Sequence, residues 1–205
     1  MLDLTTMALV FGAIFLVELP DKTFIATLVM STRFRPLLVW IGVGLAFLVQ
    51  TLVAVVAGGL LAKLPTTPVQ LVAIAMFLIG GVILLKGAAA ADAEEAETEE
   101  EFAEKSNRQV RGWQIVSMCF GIIFLAEWGD LSQLLTASMV LKYGEPVSVF
   151  LGAWAALLAV SALGAALGRT LLTKMKLSTI RRIGGAVCLV LALMGILELT
   201  GVFGG

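Results

Sequence analysis

The sequence predicts an all-α integral membrane protein whose six transmembrane helices form two inverted three-helix repeats, each with a broken first helix. Three observations lead to this fold class: an apolar composition, six apolar stretches of membrane-spanning length, and an internal repeat. Of the 205 residues, 60% are apolar and 14% are charged, whereas about 25% of the residues in a soluble domain are charged. The mean hydropathy of +1.02 agrees with a chain that lies mainly in a lipid bilayer.

Apolar stretches of about 20 residues are long enough to cross a bilayer as helices. The chain has six of them, at residues 4–31, 36–62, 68–85, 113–141, 147–172 and 179–200. The first stretch has no basic segment before it and continues past its acids, so we expect it to stay as a helix instead of being cleaved as a signal peptide. The spans divide the chain into a first three-helix repeat (1–87), an acidic cytoplasmic linker (88–112) and a second three-helix repeat (113–205).

The internal repeat is read directly from two segments. FGAIFLVELPDKTFIATLVM (11–30) aligns without a gap with FGIIFLAEWGDLSQLLTASM (120–139), and nine of the twenty positions are identical. A weaker likeness continues into the next helix of each half, where Gly42 corresponds to Gly152. Because each half holds three spans, the second copy must enter the membrane from the opposite side. Inverted repeats of this kind build one site near the bilayer midplane in many secondary transporters.

The basic residues of the loops and of the span ends next to them indicate the orientation. The side that carries loops 1–2, 3–4 and 5–6 has eleven of them, whereas the other side has only Lys63 and Lys142. The positive-inside rule therefore places the eleven-residue side in the cytoplasm and both termini outside it. The eleven are Arg33, Arg35, Lys86, Lys105, Arg108, Arg111, Arg169, Lys174, Lys176, Arg181 and Arg182.

Two acidic motifs interrupt the apolar spans. Glu18 and Asp21 are three residues apart, as are Glu127 and Asp130, so we expect each pair to project from one face of its helix. An ionised carboxylate at the bilayer centre costs roughly 2.5–3.5 kcal/mol on insertion scales. Lys22 offsets one of the four negative charges, and no other base lies in a predicted helix core. A cation, a proton or both in turn should neutralise the rest from solution.

The side chains around the acids favour a divalent metal ion. Besides the four carboxylates, the motifs offer the hydroxyls of Thr23 and Ser132 and the amide oxygen of Gln133, all of which are hard oxygen donors. Pro20 and Gly129 should break the two helices near the acids and so supply further backbone oxygens. The predicted metal ligands are therefore Glu18, Asp21, Glu127 and Asp130, supported by Lys22, Thr23, Ser132 and Gln133.

Other features narrow the chemistry. The chain has no histidine, which excludes Ser-His catalysis and histidine-ligated zinc. Cys119 and Cys188 both fall inside predicted helices, so neither a disulfide framework nor a thiolate site is indicated. We interpret Gln50, Thr51 and Ser161 as polar groups that hydrogen-bond helices to one another. The acidic linker is interpreted as a solvated spacer, with collection of cations or regulation as the alternative.

The motifs ELPDKTF (18–24) and EWGDLSQ (127–133) resemble the duplicated E-x-G-D-[KR]-[ST] signature of the transmembrane protein 165 family, the Gdt-type cation/proton exchangers that include bacterial manganese exporters. The resemblance spans the whole chain. It implies a non-enzymatic, cofactor-free antiporter of a bacterial inner membrane that exports Mn²⁺ or Ca²⁺ from the cytosol in exchange for protons. Two departures, Pro20 in place of Gly and Leu131 in place of Lys or Arg, bear on the site, because the second leaves it one charge more negative.

Two alternatives come from other classes of protein. An intramembrane aspartyl protease would use Asp21 and Asp130, but it gives no role to the paired glutamates, to Lys22 or to the repeat. A small amino-acid exporter shares the size and the six-helix plan, but an excess of negative charge opposes a substrate that carries a carboxylate. Nothing in the sequence indicates a nucleic-acid partner, and the oligomeric state stays open.

Overall fold

The computed structural model describes residues 2–19, 21–62, 66–87, 91–106 and 110–172, together with 182, 185–186, 189–190, 192–193, 196–197 and 199–200. In the continuous ranges the chain forms eight helices and no strand, which confirms the all-α class. The helices are α1 (Leu4–Glu18), α2 (Lys22–Arg33), α3 (Pro36–Leu61), α4 (Thr66–Gly87), α5 (Ala91–Lys105), α6 (Trp113–Ala126), α7 (Leu131–Tyr143) and α8 (Pro146–Leu172).

Two of the described helices are long and apolar enough to cross a membrane alone, over Pro36–Leu61 and Pro146–Ala166. Two pairs of shorter helices satisfy the same test together: α1 with α2, which meet at 71°, and α6 with α7, which meet at 73°. The described residues thus contain two to four candidate spans. The predicted sixth span, 179–200, lies largely outside the described residues, so the six-helix inverted topology stays a prediction.

Both bent pairs change direction within the acidic motifs. Helix α1 ends at Glu18, and α2 begins at Lys22 after Asp21, whose carboxylate accepts a hydrogen bond from the Lys22 N–H at 2.7 Å. In the second half, α6 ends at Ala126 and α7 begins after Asp130. The prediction that each Glu–Asp pair shares one helix face is therefore wrong, because a helix ends between the two acids. Pro20 lies outside the described residues.

Gly129 gives the second break its geometry. Its φ of +79° is in the left-handed region, which glycine adopts without the steric cost that a Cβ would add. The Gln133 amide oxygen accepts a hydrogen bond from the Gly129 N–H at 3.1 Å. A side chain from the first turn of α7 thus holds the backbone of the break in place.

The two halves pack on each other reciprocally. Helix α1 packs against α8 while α6 packs against α3, and α2 packs against α8 while α7 packs against α3. The bent pair of each half therefore lies on the long helix of the other half. Helices α3 and α8 also contact each other, and two indole N–H groups join them: that of Trp40 donates to the Leu158 carbonyl at 3.0 Å, and that of Trp154 donates to the Gly44 carbonyl at 3.2 Å.

Equivalent glycines permit the closest of these approaches. A Cβ on Gly42 of α3 would lie 2.6 Å from the Val116 carbonyl oxygen of α6, and a Cβ on Gly152 of α8 would lie 2.5 Å from the Met7 carbonyl oxygen of α1. In both cases the neighbouring atom is backbone, which cannot rotate away. These glycines therefore set the distance between the helices that carry the acids and the helices that support them.

We expect Gly42→Ala and Gly152→Ala each to destabilise the protein by about 1–3 kcal/mol, the usual cost of overpacking a close contact. Gly12→Ala is the matched control, because no atom outside its own helix lies within 4 Å of the added Cβ. Thermal denaturation of the detergent-solubilised variants measures the effect. Equal midpoints for Gly152→Ala and Gly12→Ala would contradict the close crossing of α1 and α8.

Helix α5 forms in the acidic linker and packs against α2. Phe102 is 2% exposed and belongs to the hydrophobic core, while Lys105 pairs with Glu101 and lies over the Phe102 ring. A cavity of about 600 Å³ separates α5 from the face of α6 that runs from Ser117 to Ala126. The interpretation of the linker as a solvated spacer fits its exposed glutamates but is wrong for Phe102.

Candidate metal centre

Four carboxylates converge where the two bent pairs meet. One carboxylate oxygen from each of Glu18, Asp21, Glu127 and Asp130 lies within 4.8 Å of the others. The two glutamates are buried, with 1% and 2% exposure, and the two aspartates are partly buried. The glutamates therefore form the enclosed part of the cluster, and the aspartates form its accessible part.

The helix ends around the cluster suit both the acids and a cation. Asp21 and Asp130 occupy the N-cap positions of α2 and α7, where unpaired N–H groups and the helix dipole favour negative charge. Glu18 is the last residue of α1, and Glu127 is the C-cap of α6. Those ends carry partial negative charge and carbonyl oxygens that lack helical partners. The same combination of half-helix ends holds ions in broken-helix transporters.

The buried glutamates lack hydrogen bonds. Both carboxylate oxygens of Glu18 and both of Glu127 are buried without a hydrogen-bond partner in the part of the chain that the structure describes, and so is the Thr23 hydroxyl. Buried polar atoms are almost always paired, since an unpaired one retains its full desolvation cost. These five oxygens are therefore suited to a ligand from solution, either a metal ion or protons.

Two hydroxyls face the glutamates across the two halves. Ser132 faces Glu18, and Thr23 faces Glu127, although neither approach has the geometry of a hydrogen bond. The repeat makes Thr23 and Ser132 equivalent, so each half offers a hydroxyl to the glutamate of the other half. Their predicted role as supporting oxygen donors is compatible with these positions.

The remaining predicted site residues differ in what they contact. The Lys22 Nζ lies 3.9 Å from Glu127 Oε1, so the base of the first motif pairs with an acid of the second. The Gln133 amide oxygen already accepts the Gly129 N–H, and its amide nitrogen is buried without a partner. Gln133 thus supports the backbone in the structure, and its role as a metal ligand stays a prediction.

Of the three neutral polar residues that were predicted to join helices, one forms such a hydrogen bond in the structure. The Gln50 amide of α3 donates to the Phe124 carbonyl in the last turn of α6 at 3.1 Å. This hydrogen bond confirms that Gln50 joins two helices, and it gives a partner to a carbonyl near the break. The Ser161 hydroxyl donates instead to Leu158 in its own helix. The Thr51 hydroxyl is buried without a partner. The helix-joining interpretation is therefore wrong for these two residues within the described chain.

An intramembrane cluster of ionisable residues normally marks an ion pathway, so the fold and the cluster define the class of ion-transporting membrane proteins. The chain belongs to the family of divalent cation/proton antiporters: the family model described as "Divalent cation/proton antiporter GDT1" matches residues 6–92 and again residues 115–201. The resemblance drawn from the two motifs is thereby confirmed. The family is one of transporters and not of enzymes.

Curated relatives come from cyanobacteria and plants. The chain is 34% identical to the GDT1-like protein sll0615 of Synechocystis, over 60% of this chain and 63% of the relative. It is 29% identical to the chloroplastic PAM71-homolog of Arabidopsis thaliana, over 89% of this chain and 56% of the relative. It is also 29% identical to the chloroplastic GDT1-like protein 1 of Oryza sativa subsp. indica, over 95% of this chain and 62% of the relative.

The chain thus spans less than two thirds of the length of these relatives. No solved structure matches it.

Proposed function

We propose that this chain exports a divalent cation, Mn²⁺ ahead of Ca²⁺, from the cytosol of a bacterium in exchange for protons across the inner membrane. The convergence of Glu18, Asp21, Glu127 and Asp130 within 4.8 Å supports the proposal above all else. Carboxylate oxygens are the ligands that Mn²⁺ and Ca²⁺ prefer. The donors alone do not separate these two ions, and the order follows from the resemblance of the motifs to those of manganese exporters.

Competition for the same carboxylates would couple the two fluxes. Four ionised carboxylates so close together repel one another strongly unless positive charge is added, because the Coulomb energy is large in a partly buried site. A bound divalent ion supplies that charge when the protein carries metal, and bound protons supply it when the protein is free of metal. When the cluster opens to the proton-rich side, protons displace the metal ion; when it opens to the cytosol, the metal ion displaces protons.

The geometry bears on the two alternative functions as well. Asp21 and Asp130 do lie in one cluster, as a protease dyad would require, but the dyad leaves the buried Glu18 and Glu127 without a role. An amino-acid substrate would bring a further carboxylate to four acids that face a single nearby base, Lys22, among the described residues. Both alternatives are therefore weaker than cation exchange.

Purified protein in proteoliposomes tests the proposal. Mn²⁺, Ca²⁺, Mg²⁺ and Zn²⁺ are presented separately while dyes in the lumen report the metal and the pH. We expect Mn²⁺ and then Ca²⁺ to enter an acidic lumen and to make it more alkaline, with little response to Mg²⁺ or Zn²⁺. The absence of any protein-dependent response to the four ions would refute cation transport.

The direction of export depends on the orientation, which cysteine labelling measures. In a background without Cys119 and Cys188, we expect Glu97→Cys in α5 to be protected from an impermeant thiol reagent in intact cells. We expect Glu145→Cys, between α7 and α8, to be labelled. The reason is the eleven-to-two distribution of basic residues. The reverse labelling pattern would show that the proposed orientation is wrong and, with it, the proposed direction of transport.

A further inference from the structure

We propose, on the basis of the antiport function proposed above, that Lys22 is a built-in competitor of the transported metal ion. Its ammonium group neutralises Glu127 when no metal ion is bound, and it moves away when the ion binds. Its return then helps to release the ion. Lys22 is on this view a positioning residue that acts on Glu127, and not a ligand.

The Lys22 ammonium lies close enough to Glu127 to neutralise its charge, but the contact is weak enough for a metal ion to replace the ammonium. The Nζ of Lys22 lies 3.9 Å from Glu127 Oε1, at the outer limit of an ion pair. Neither oxygen of Glu127 accepts a hydrogen bond from any residue that the structure describes, so no directional contact among these residues holds the ammonium in place. The Glu127 side chain is 2% exposed, whereas that of Lys22 is 41% exposed. The acid is therefore fixed inside the cluster, and the base has room to leave it.

The two halves differ at this position. The repeat makes Leu131 the equivalent of Lys22, and Leu131 packs against α4, where a Cβ on Gly80 would lie 2.7 Å from its Cδ1. Glu18 forms no ion pair in the part of the chain that the structure describes. Glu127 thus has the tethered ammonium within ion-pair distance, whereas Glu18 feels the same charge only from farther away. A metal ion must displace the ammonium on one side only.

Electrostatics then gives Lys22 opposite effects on binding and on turnover. A dication that enters the cluster is repelled by the ammonium, so Lys22 weakens equilibrium binding. The same repulsion favours departure of the ion, so Lys22 speeds release. A residue with a merely structural role would not tighten binding when it is removed, and neither would a residue that helps to hold the ion.

The experiment measures binding of MnCl₂ to the purified full chain in detergent by calorimetry in alkaline buffer. We expect Lys22→Met to bind Mn²⁺ at least about tenfold more tightly than the parent, because one unit of like charge is removed from the site. Exchange in proteoliposomes should meanwhile become slower. Lys22→Arg is the matched control, since it keeps the charge, and its Kd should stay within about twofold of the parent.

A relocated charge gives an independent check. The double variant Lys22→Met/Leu131→Lys carries the ammonium at the equivalent position of the other half, where the repeat predicts that it reaches Glu18, and we expect its Kd to return toward that of the parent. Leu131→Met in the Lys22→Met background keeps an apolar side chain against Gly80, so it should leave the tight binding unchanged.

The possible results separate the two proposals. A Lys22→Met variant whose Kd is unchanged or higher would overturn the role of Lys22, while the antiport function would stand. A parent protein that binds neither Mn²⁺ nor Ca²⁺ would instead contradict the proposed function. If Lys22→Met is not monodisperse in size-exclusion chromatography, Lys22→Gln takes its place, with the same expected tightening and the same contradicting result.

Discussion

Asp130→Asn should reduce Mn²⁺/proton exchange at least about 100-fold while leaving the protein folded. The substitution removes one of the four negative charges that surround the ion, and a unit charge pair at about 4 Å is worth about 4 kcal/mol at an effective dielectric constant of about 20. The structural loss is small. The Asp130 side chain makes no capping hydrogen bond to α7, and Asn is as good an N-cap residue as Asp.

The measurement is the initial rate of Mn²⁺ entry into proteoliposomes, together with the thermal midpoint of each variant. Asp3→Asn provides the matched control, because it makes the same chemical change outside the cluster. Asp3 caps α1, and the hydrogen bonds that it accepts from Thr6 and Thr5 hold its pKa below the usual range. We expect Asp3→Asn to exchange at nearly the parent rate. An Asp130→Asn variant as active as that control would show that the acidic cluster is not the transport site.

The internal repeat was sufficient to predict the convergence of the acids. Equivalent motifs in two halves must lie at equivalent depths if the halves pack symmetrically, so Glu18 and Glu127 could be placed together without a structure. Gly129 likewise indicated a weak point in its helix, and the structure has a break there. These features could be predicted because each depends on local residue types and on the repeat alone.

Other features depend on contacts between distant segments. Three-residue spacing indicated a shared helix face for Glu18 and Asp21, but the N-cap of a new helix at Asp21 outweighed the continuation of α1. The pairing of Lys22 with Glu127 joins different halves, and no pattern within either motif specifies it. Phe102 is the one apolar aromatic residue in a strongly acidic stretch, and its burial depends on the docking of α5 on α2.

The second large effect concerns the proton gradient. In proteoliposomes with an acidic lumen, we expect Mn²⁺ to accumulate above its external concentration, and collapse of the pH gradient by nigericin should reduce this accumulation to simple equilibration. The reason is that protons leaving the lumen are the only source of energy for uphill entry if metal and protons share the carboxylates of Glu18, Asp21, Glu127 and Asp130. Acid on both sides should slow entry, because protons then occupy the cluster wherever it opens.

Valinomycin in potassium buffer serves as the control, since it clamps the membrane potential without collapsing the pH gradient. Accumulation that survives valinomycin but not nigericin is driven by protons. The Asp130→Asn variant should show neither metal accumulation nor alkalinisation of the lumen, because one site carries both fluxes. If instead Mn²⁺ flux into vesicles that hold the parent protein proceeds undiminished with no accompanying proton flux, the two ions do not compete for one set of carboxylates. The protein would then be a uniporter or a channel, and the buried carboxylate oxygens of Glu18 and Glu127 would line a path for the metal ion alone.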